Sequence, residues 1–555
     1  MRRSNQTNQK LCKTTQIKIL AKAWILFVVV TVAGLSSPPA SYAEIGIDVL
    51  TGAIKQYFES HPLSLPASFK HQSSSNHQGL WLADIYHLTG LRPLWVTPEG
   101  PGKKAAIIFL YLSKSNTEGL DPNDYGVTRI SDLWRARQPQ LLAELDILLT
   151  FNLIQYIHDV SCGRLSDVNK AFDPVAPIEQ TLSVPDLAGY LAGLPPSHRH
   201  YTELKTALKI YRAIEKDGEW PRIPAGKTIR PGDLDDRVPA IIHRLARSCD
   251  LDSKVSDLTY YDRSLIPFIL QFQTMYGLEP DGLIGQKMLA AMNIPLSRLI
   301  QQIIVNMERW RLRQHDLGKK YILVNIPNFN LSAFDKEDIS LQMPVIVGRL
   351  KHQTPVFSDH ILYIDLNPYW NIPKSIAVNE ELIKLKKNPY HLVNKHIRLF
   401  STGDNAGELD STAIDWAGVS RARMAQYRLR QDPGPWNSLG KIKFVLSNPD
   451  AVYMHDTPGK GLFSRSRRDF SHGCIRVSNP SGLAAFVLKD LPEKWSLEKI
   501  DDILKSGNRR VITLPIPLPV HITYQTVWVD KKGNIYFNRD VYGRDEVLMK
   551  ALFNK

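Results

Sequence analysis

Residues 453–477 place a thiol, two imidazoles, a phenol and a guanidinium in one short stretch, as Tyr453-Met454-His455-Asp456 and then Phe470-Ser471-His472-Gly473-Cys474-Ile475-Arg476-Val477. A thiol attacks as its thiolate, and a free cysteine with a pKa of about 8.5 needs an imidazole nearby to take its proton. His455 ends a strand-like run, which would aim its ring at a fixed point beside the turn carrying Cys474. His472 is only two residues from Cys474, a poor separation for two facing side chains. The base is therefore assigned to His455 and orientation of the turn to His472. Gly473, without a Cβ, permits a tight bend and leaves the amides at Gly473 and Cys474 for an oxyanion. Tyr453, two residues before His455 and so on the same strand face, offers another donor. This is acyl-transfer chemistry. As zinc ligands, His455, His472 and Cys474 with the adjacent Asp456 would make poor tetrahedral geometry, so zinc is not expected.

The elements that must hold these groups read as β-rich. Tyr321–Ile326, Met343–Gly348, His360–Leu366, Lys441–Leu446 and Ala451–Met454 are strand candidates bounded by turn residues. They predict a domain over 320–510, with an insertion at about 373–431 that opens helix-like at Ile376–Lys387, turns loop-like near Gly403–Gly407, and reads as a lid. Residues 511–555 read as a C-terminal hairpin extension with its turn at Asp530–Asn534. Met307–Leu317 reads as a basic, Trp-bearing connecting helix. Residues 44–226 show helical spacing, as in Trp81, Ile85 and Leu88, with frequent Pro and Gly, and no cluster suggesting chemistry. Residues 228–296 read as three short helices, with Leu265, Ile269, Phe272 and Met275 on one face and a turn at Asp281-Gly282. The predicted fold class is α+β multidomain: helical scaffold, three-helix bundle, β-rich domain with a helix/loop insertion.

At 555 residues the chain is too long for one domain, and its 43% hydrophobic and 22% charged composition excludes a mainly disordered chain, a coiled coil or a collagen-like fibre. Arg2, Arg3, Lys10, Lys13, Lys18 and Lys22 precede the apolar run Ala23–Leu35 and the small-x-small pattern Ser41-Tyr42-Ala43. That is a signal peptide over 1–43, its run shorter than the roughly 20 residues that span a bilayer; an uncleaved segment would instead anchor the chain to the membrane. Those six basic residues have no acidic counterparts, so removal takes the net charge from +14 to +8. A moderately basic exported protein suits an anionic extracytoplasmic polymer and makes nucleic acid an improbable partner. Cys12 leaves with the signal. Cys162, Cys249 and Cys474 remain, an odd count that leaves at least one thiol without an intrachain disulfide.

His455, fifteen intervening residues, then Ser-His-Gly-Cys followed by an apolar residue and Arg resembles the signature of the YkuD-type L,D-transpeptidase catalytic domain. The likeness extends through Pro344–Gly348, Thr354-Pro355, Asn367–Pro373 and Pro433–Gly440. The Phe272-Gln273, Gly277-Leu278 and Asp281-Gly282-x-x-Gly285 order is similar to three-helix peptidoglycan-binding domains, a module that either binds wall polymer or serves as a spacer. The overall order, with Leu194–Tyr211 similar to a scaffold domain, resembles the large periplasmic YcbB-like members. The resemblance implies Cys474 as nucleophile, His455 as general base and acid, and the backbone carbonyl of Asp456 as the group orienting the imidazole. It places Arg476, Trp370 and Asn437 at the substrate, although Arg476 also reads as a brace of the turn and Trp370 as pocket wall. Arg465, Arg467 and Arg468 read as a solvated run or as attractors of stem carboxylates. The implied reaction transfers a tetrapeptide stem through a Cys thioester to a second peptidoglycan stem, forming a 3-3 cross-link in the periplasm during cell-wall biogenesis and maintenance of cell shape, without a cofactor. The alternatives are an L,D-carboxypeptidase hydrolysing the same bond and an inactive wall-binding scaffold.

Overall fold

The computed structural model describes residues 46–61, 78–166, 173–249, 251, 258–313, 315–403 and 407–553, with the backbone alone at 78–81. The expected signal peptide at 1–43 and loop residues 404–406 lie outside the described residues.

The first part is helical. Its longest helix, α1 (Pro139–Ser161), is apolar on nearly every face because it runs through the interior, and it is the one helix among the described residues long and apolar enough to cross a membrane. Asp146, fully buried within it, accepts the backbone N–H groups of Leu94, Trp95 and Val96 and so fixes an adjoining turn. Helix α2 (Arg199–Lys216) buries Tyr201, Leu204, Ala207, Leu208 and Tyr211 at three- and four-residue spacing. The bundle follows as α3 (Val238–Ala246), α4 (Ile266–Met275) and α5 (Gln286–Met292). Here the Phe-Gln and Asp-Gly pairs have a local structural purpose. Gln273 donates to Asp281 Oδ1 (2.8 Å) and to the Leu283 carbonyl (3.0 Å), and accepts from the Gly282 amide (3.0 Å), so one side-chain amide shapes the turn. The connecting helix, α6 (Leu296–Arg311), begins and ends earlier than its basic composition suggests, because Leu296, Leu299, Ile303 and Met307 continue the bundle's apolar stripe. One core runs from α2 through the bundle and α6 to Phe537 near the C-terminus.

The β-rich part forms a nine-stranded sheet from β1 (Lys320–Asn325), β2 (Asn330–Asp335), β3 (Asp338–Gly348), β4 (Ser358–Leu366), β5 (Ile442–Leu446), β6 (Met454–His455), β7 (Asp469–Ser471), β8 (Ile475–Val477) and β9 (Arg510–Thr523). The spatial order is β7-β3-β8-β6-β5-β4-β9-β1-β2, and β2 also pairs with β3, so the sheet closes on itself around its own apolar core. Residues 510–523 therefore correct the expected boundary at 511. Their alternation of apolar and polar residues makes a long strand between β4 and β1, and the hairpin proper is β10 (Val527–Val529) with β11 (Ile535–Phe537), followed by a helix at Arg544–Phe553.

The insertion is a folded unit rather than mainly loop. Short strands at 370–371, 397–400, 408–409 and 428–431 form a separate four-stranded sheet. Helical turns from Lys374 to Lys387 pack with it on a small core that includes Leu385, Leu392, Trp416 and Met424.

Candidate functional site

Sheet register brings the reactive groups together. Met454 of β6 and Ile475 of β8 are parallel neighbours, both fully buried in the core. Side chains alternate along a strand, so Tyr453 and His455 on one side, Cys474 and Arg476 on the other, emerge on the opposite face. Lys443 of β5 is the register partner of His455, and Asp365 of β4 that of Lys443. A charged row, Asp365–Lys443–His455–Arg476, thus crosses four strands, with Tyr453 and Cys474 one step along it. Arg509 closes the outer end of the row by a bidentate pair with Asp365 (2.9 Å).

The histidine is held in a defined tautomer. Its Nδ1–H donates to the Asp456 carbonyl (2.5 Å), which leaves Nε2 as the basic nitrogen. The Asp456 carboxylate does something else: it accepts from the amides of Thr457 (2.7 Å) and Lys441 (2.9 Å) and pairs with Lys460, pinning the neighbouring loops. Gly440, at φ +62°, comes so close to that carboxylate that a Cβ would collide with it.

Electrostatics set the resting protonation. Burial, then the Arg476 and Lys443 cations, lower the His455 pKa to about 3, against the opposing pull of the Asp456 and Leu439 carbonyls. Burial raises the Cys474 pKa, while the Tyr453 amide and hydroxyl, Lys443 and Arg476 favour its thiolate. Burial also lowers the pKa values of Lys443 and Arg476, with Cys474 acting in the other direction on both. The resting pair is therefore neutral thiol and neutral imidazole, in a site with more buried positive than negative charge.

The turn bearing the thiol departs from expectation in two ways. Gly473 adopts φ +116°, which explains a glycine there, but its N–H donates to Ser471 Oγ (3.1 Å) and is not free for an oxyanion. Ser471 Oγ in turn donates to the Cys474 carbonyl (2.6 Å), so Ser471, not His472, orients the turn. His472 is exposed, with Nε2 beside Glu380 of the insertion (2.5 Å) and Arg349 (2.8 Å), because the strand alternation that buries Ser471 turns its neighbour outward.

Of the expected substrate contacts, Arg476 and Trp370 stand at the site: Trp370 faces the Tyr453 hydroxyl, and Nε of Arg476 is buried without a hydrogen-bond partner. Asn437 does not stand there. It is fully buried, and its amide is spent on the carbonyls of Pro368 (3.0 Å) and Asp432 (3.1 Å) and the Leu439 amide (2.8 Å), which makes it a loop clamp. Arg467 and Arg468 are likewise occupied, the first by Asp469 and the second by the carbonyls of Arg465 (2.6 Å) and Phe329 (3.1 Å).

Sequence reasoning missed Lys443, Asp365 and a support behind the turn. Thr354, fully buried, donates to the Gly473 carbonyl (2.7 Å) and accepts from the Gly348 amide (2.9 Å). Tyr542, beyond the terminal hairpin, donates to the Gly348 carbonyl (2.6 Å) and accepts from the Thr354 amide (3.2 Å). Thr354-Pro355 belonged to the resemblance, while nothing local marks Tyr542.

Residues 319–494 match the family model of the L,D-transpeptidase catalytic domain, YkuD, and residues 80–208 match that of a scaffold domain. A Haemophilus influenzae protein provisionally named an L,D-transpeptidase is 33% identical over 260 residues, 46% of this chain and 51% of that protein; the chain thus spans about half the length of that curated relative. Among solved structures, an L,D-transpeptidase from Xylanimonas cellulosilytica is 15% identical (TM-score 0.18), covering 54% of this chain and 99% of that one. LdtMt1 in complex with imipenem is 13% identical (TM-score 0.18), covering 37% and 59%. Residues 319–494 are thus similar to the L,D-transpeptidase catalytic domain, and residues 80–208 to a scaffold domain.

Proposed function

We propose that the chain is a cysteine L,D-transpeptidase of the periplasm that forms 3-3 peptidoglycan cross-links. The observation that supports this best is the single sheet face shared by Cys474, His455 and Tyr453, with Nδ1 of the imidazole tied to a backbone carbonyl. His455 Nε2 takes the Cys474 proton as sulfur attacks the carbonyl carbon between the third residue of a tetrapeptide stem and its terminal D-Ala. Because the resting pair is neutral, proton transfer accompanies attack and no standing ion pair is needed. The oxyanion is met by the Cys474 N–H and the Tyr453 hydroxyl, in the field of Lys443 and Arg476. The C–N bond then breaks, His455 returns the proton to the departing D-Ala amine, and a thioester remains. The amine of a second stem attacks the thioester, His455 takes its proton, and the thiol is restored. Arg476, with its unpaired Nε, and the Trp370 N–H are the groups that hold stem carboxylates and carbonyls. The signal segment at 1–43 delivers the chain across the membrane, and the donor and acceptor stems are its partners.

Mass analysis of products from purified protein and disaccharide-tetrapeptide tests this. A cross-linked dimer that vanishes in Cys474→Ala is the expected result; tripeptide alone would replace transfer with hydrolysis, and no product would remove the reading.

A further inference from the structure

A second cleft, of about 450 Å³, lies away from the thiol, between α2, strands β1–β3 and the terminal hairpin. Its size is within the roughly 300–1,000 Å³ of small-ligand sites. At its mouth Trp528 and Tyr536, directly opposite each other in the hairpin, stack at 4.0 Å with planes 7° apart. Their polar tips are tied off, the indole N–H to Asn538 (2.6 Å) and the phenol to Asp530 (3.0 Å), so the half-buried rings offer flat apolar surface. Deeper in, the wall is built of neutral amides and hydroxyls such as Asn325, Ser332, Gln342 and Thr523. Gln525, 3% exposed, has neither side-chain polar atom paired, and Asn330 Oδ1 is also buried without a partner. Leaving such groups unpaired costs about 1–3 kcal/mol each, a cost a hydrogen-bonding ligand removes. Two of the three lysine and arginine side chains lining it are paired, Arg199 with Glu203 (2.6 Å) and Lys531 with Asp338 (2.9 Å), which leaves Lys532 as the one cation among them with no recorded ion pair, too little positive charge to select a polyanion.

The cleft is also not closed at its end. Asn328, Asn330, Gln342, Trp528 and Tyr536 line both it and a larger groove of about 1530 Å³ that runs past the Glu279–Asp281 turn of the bundle. An open trough with a stacked aromatic pair and unpaired neutral amides suits a polymer of uncharged polyhydroxylated rings. The polarised C–H bonds of a pyranose face pack on the electron-rich ring faces, and its hydroxyl and acetamido groups meet the amides. We propose that this cleft binds N-acetylated amino sugars of a glycan strand, and that the strand continues along the groove. The proposal rests on the functional reading above, in that the strand is the polymer that carries the stems, and it gives the hairpin a ligand of its own.

The test is titration of the full chain with the tetrasaccharide of β-1,4-linked N-acetylglucosamine, read by tryptophan fluorescence and calorimetry. Saturable binding is expected, weakened about fivefold or more in Trp528→Ala and in Gln525→Leu, as loss of one stacking face or one hydrogen-bonding amide implies. Gln525→Leu keeps or raises the unfolding midpoint, since it replaces an unpaired buried amide by a similar apolar shape, and so stays informative if Trp528→Ala does not fold. No saturable binding, binding unchanged in Gln525→Leu, or displacement of the sugar by free tetrapeptide would overturn the proposal. Thioester formation on the wild-type chain with glycan-free tetrapeptide is measured in parallel. Sugar binding without thioester defeats the transpeptidase reading alone, and thioester without sugar binding defeats this proposal alone.

Discussion

Two buried charge clusters, on either side of the junction between the helical and β-rich parts, use the same residue types to opposite ends. Around Arg311, 2% exposed, the guanidinium reaches the Tyr201 hydroxyl (2.7 Å), Glu308 (3.2 Å) and the Glu118 carbonyl, while Glu118 also takes Tyr201 (2.8 Å) and Lys205 and Glu308 takes the Leu165 amide (2.8 Å). Coulombic partners raise the Arg311 pKa despite its burial. In the row beside Cys474 the balance is reversed: Lys443, His455 and Arg476 all have lowered pKa values, with burial as the leading cause, and Arg476 Nε has no partner. The first cluster is electrostatically complete and holds the scaffold to α6. The second is short of negative charge, and the thiolate, the oxyanion or a substrate carboxylate supplies what it lacks.

The largest expected effect is at the thiol. Cys474→Ala reduces transfer to background, a loss on the order of 10⁴-fold or more, and the covalent adduct expected between a carbapenem and the wild-type thiol is absent from its intact-protein mass spectra. An adduct on the Ala variant would place the nucleophile elsewhere. Next, Arg311→Met strands the buried Glu308 carboxylate and costs about 3–5 kcal/mol of stability in denaturant unfolding. Arg476→Met leaves stability unchanged or higher but slows acylation about 10–100-fold, because it removes a charge that only the reacting state satisfies. Equal destabilisation by both substitutions would erase the contrast.

Acid separates the clusters further. With His455 at about 3, its basic form persists as pH falls, so acylation holds from pH 7 to about pH 4.5, where an unperturbed imidazole would have lost it below about 6.5. A pH–rate profile falling with a midpoint near 6.5 would reject that assignment. The smallest effect is on the junction. Burial lowers His198 to about 4 and His200 to about 3, with His315, His521 and Arg199 adding repulsion. Unfolded imidazoles bind protons below about 6.5 and these folded ones do not, so stability is full above that pH and falls as the pH drops from about 6.5 to about 4. Thermal midpoints across that range read it, and His200→Gln flattens the slope.

What the sequence disclosed follows from how local each feature is. The Ser-His-Gly-Cys turn, the strand ending at His455 and the apolar alternation of β4 and β5 are short-range patterns, and they located the thiol, the imidazole on the same sheet face and the sheet itself. The role of Ser471 was mistaken for that of His472, because strand alternation, not residue type, decides which side chain turns inward. Asn437 reads as a polar loop residue until the fold buries it against Pro368 and Asp432. Lys443 reads as the solvated side of an amphipathic strand, and only its register with His455 and Asp365 shows it beside the thiol. The insertion reads partly as loop because its strands are two to four residues long, too short for periodicity to register.

Tyr542 sits 68 positions after Cys474 in the chain, yet it fastens Gly348 and Thr354, and Thr354 fastens Gly473. Strand β9, which completes the closed sheet, also arrives after Cys474 has been synthesised. The reactive turn is consequently among the last places to acquire its final geometry, so a growing chain carries an immature thiol until nearly its whole length has emerged.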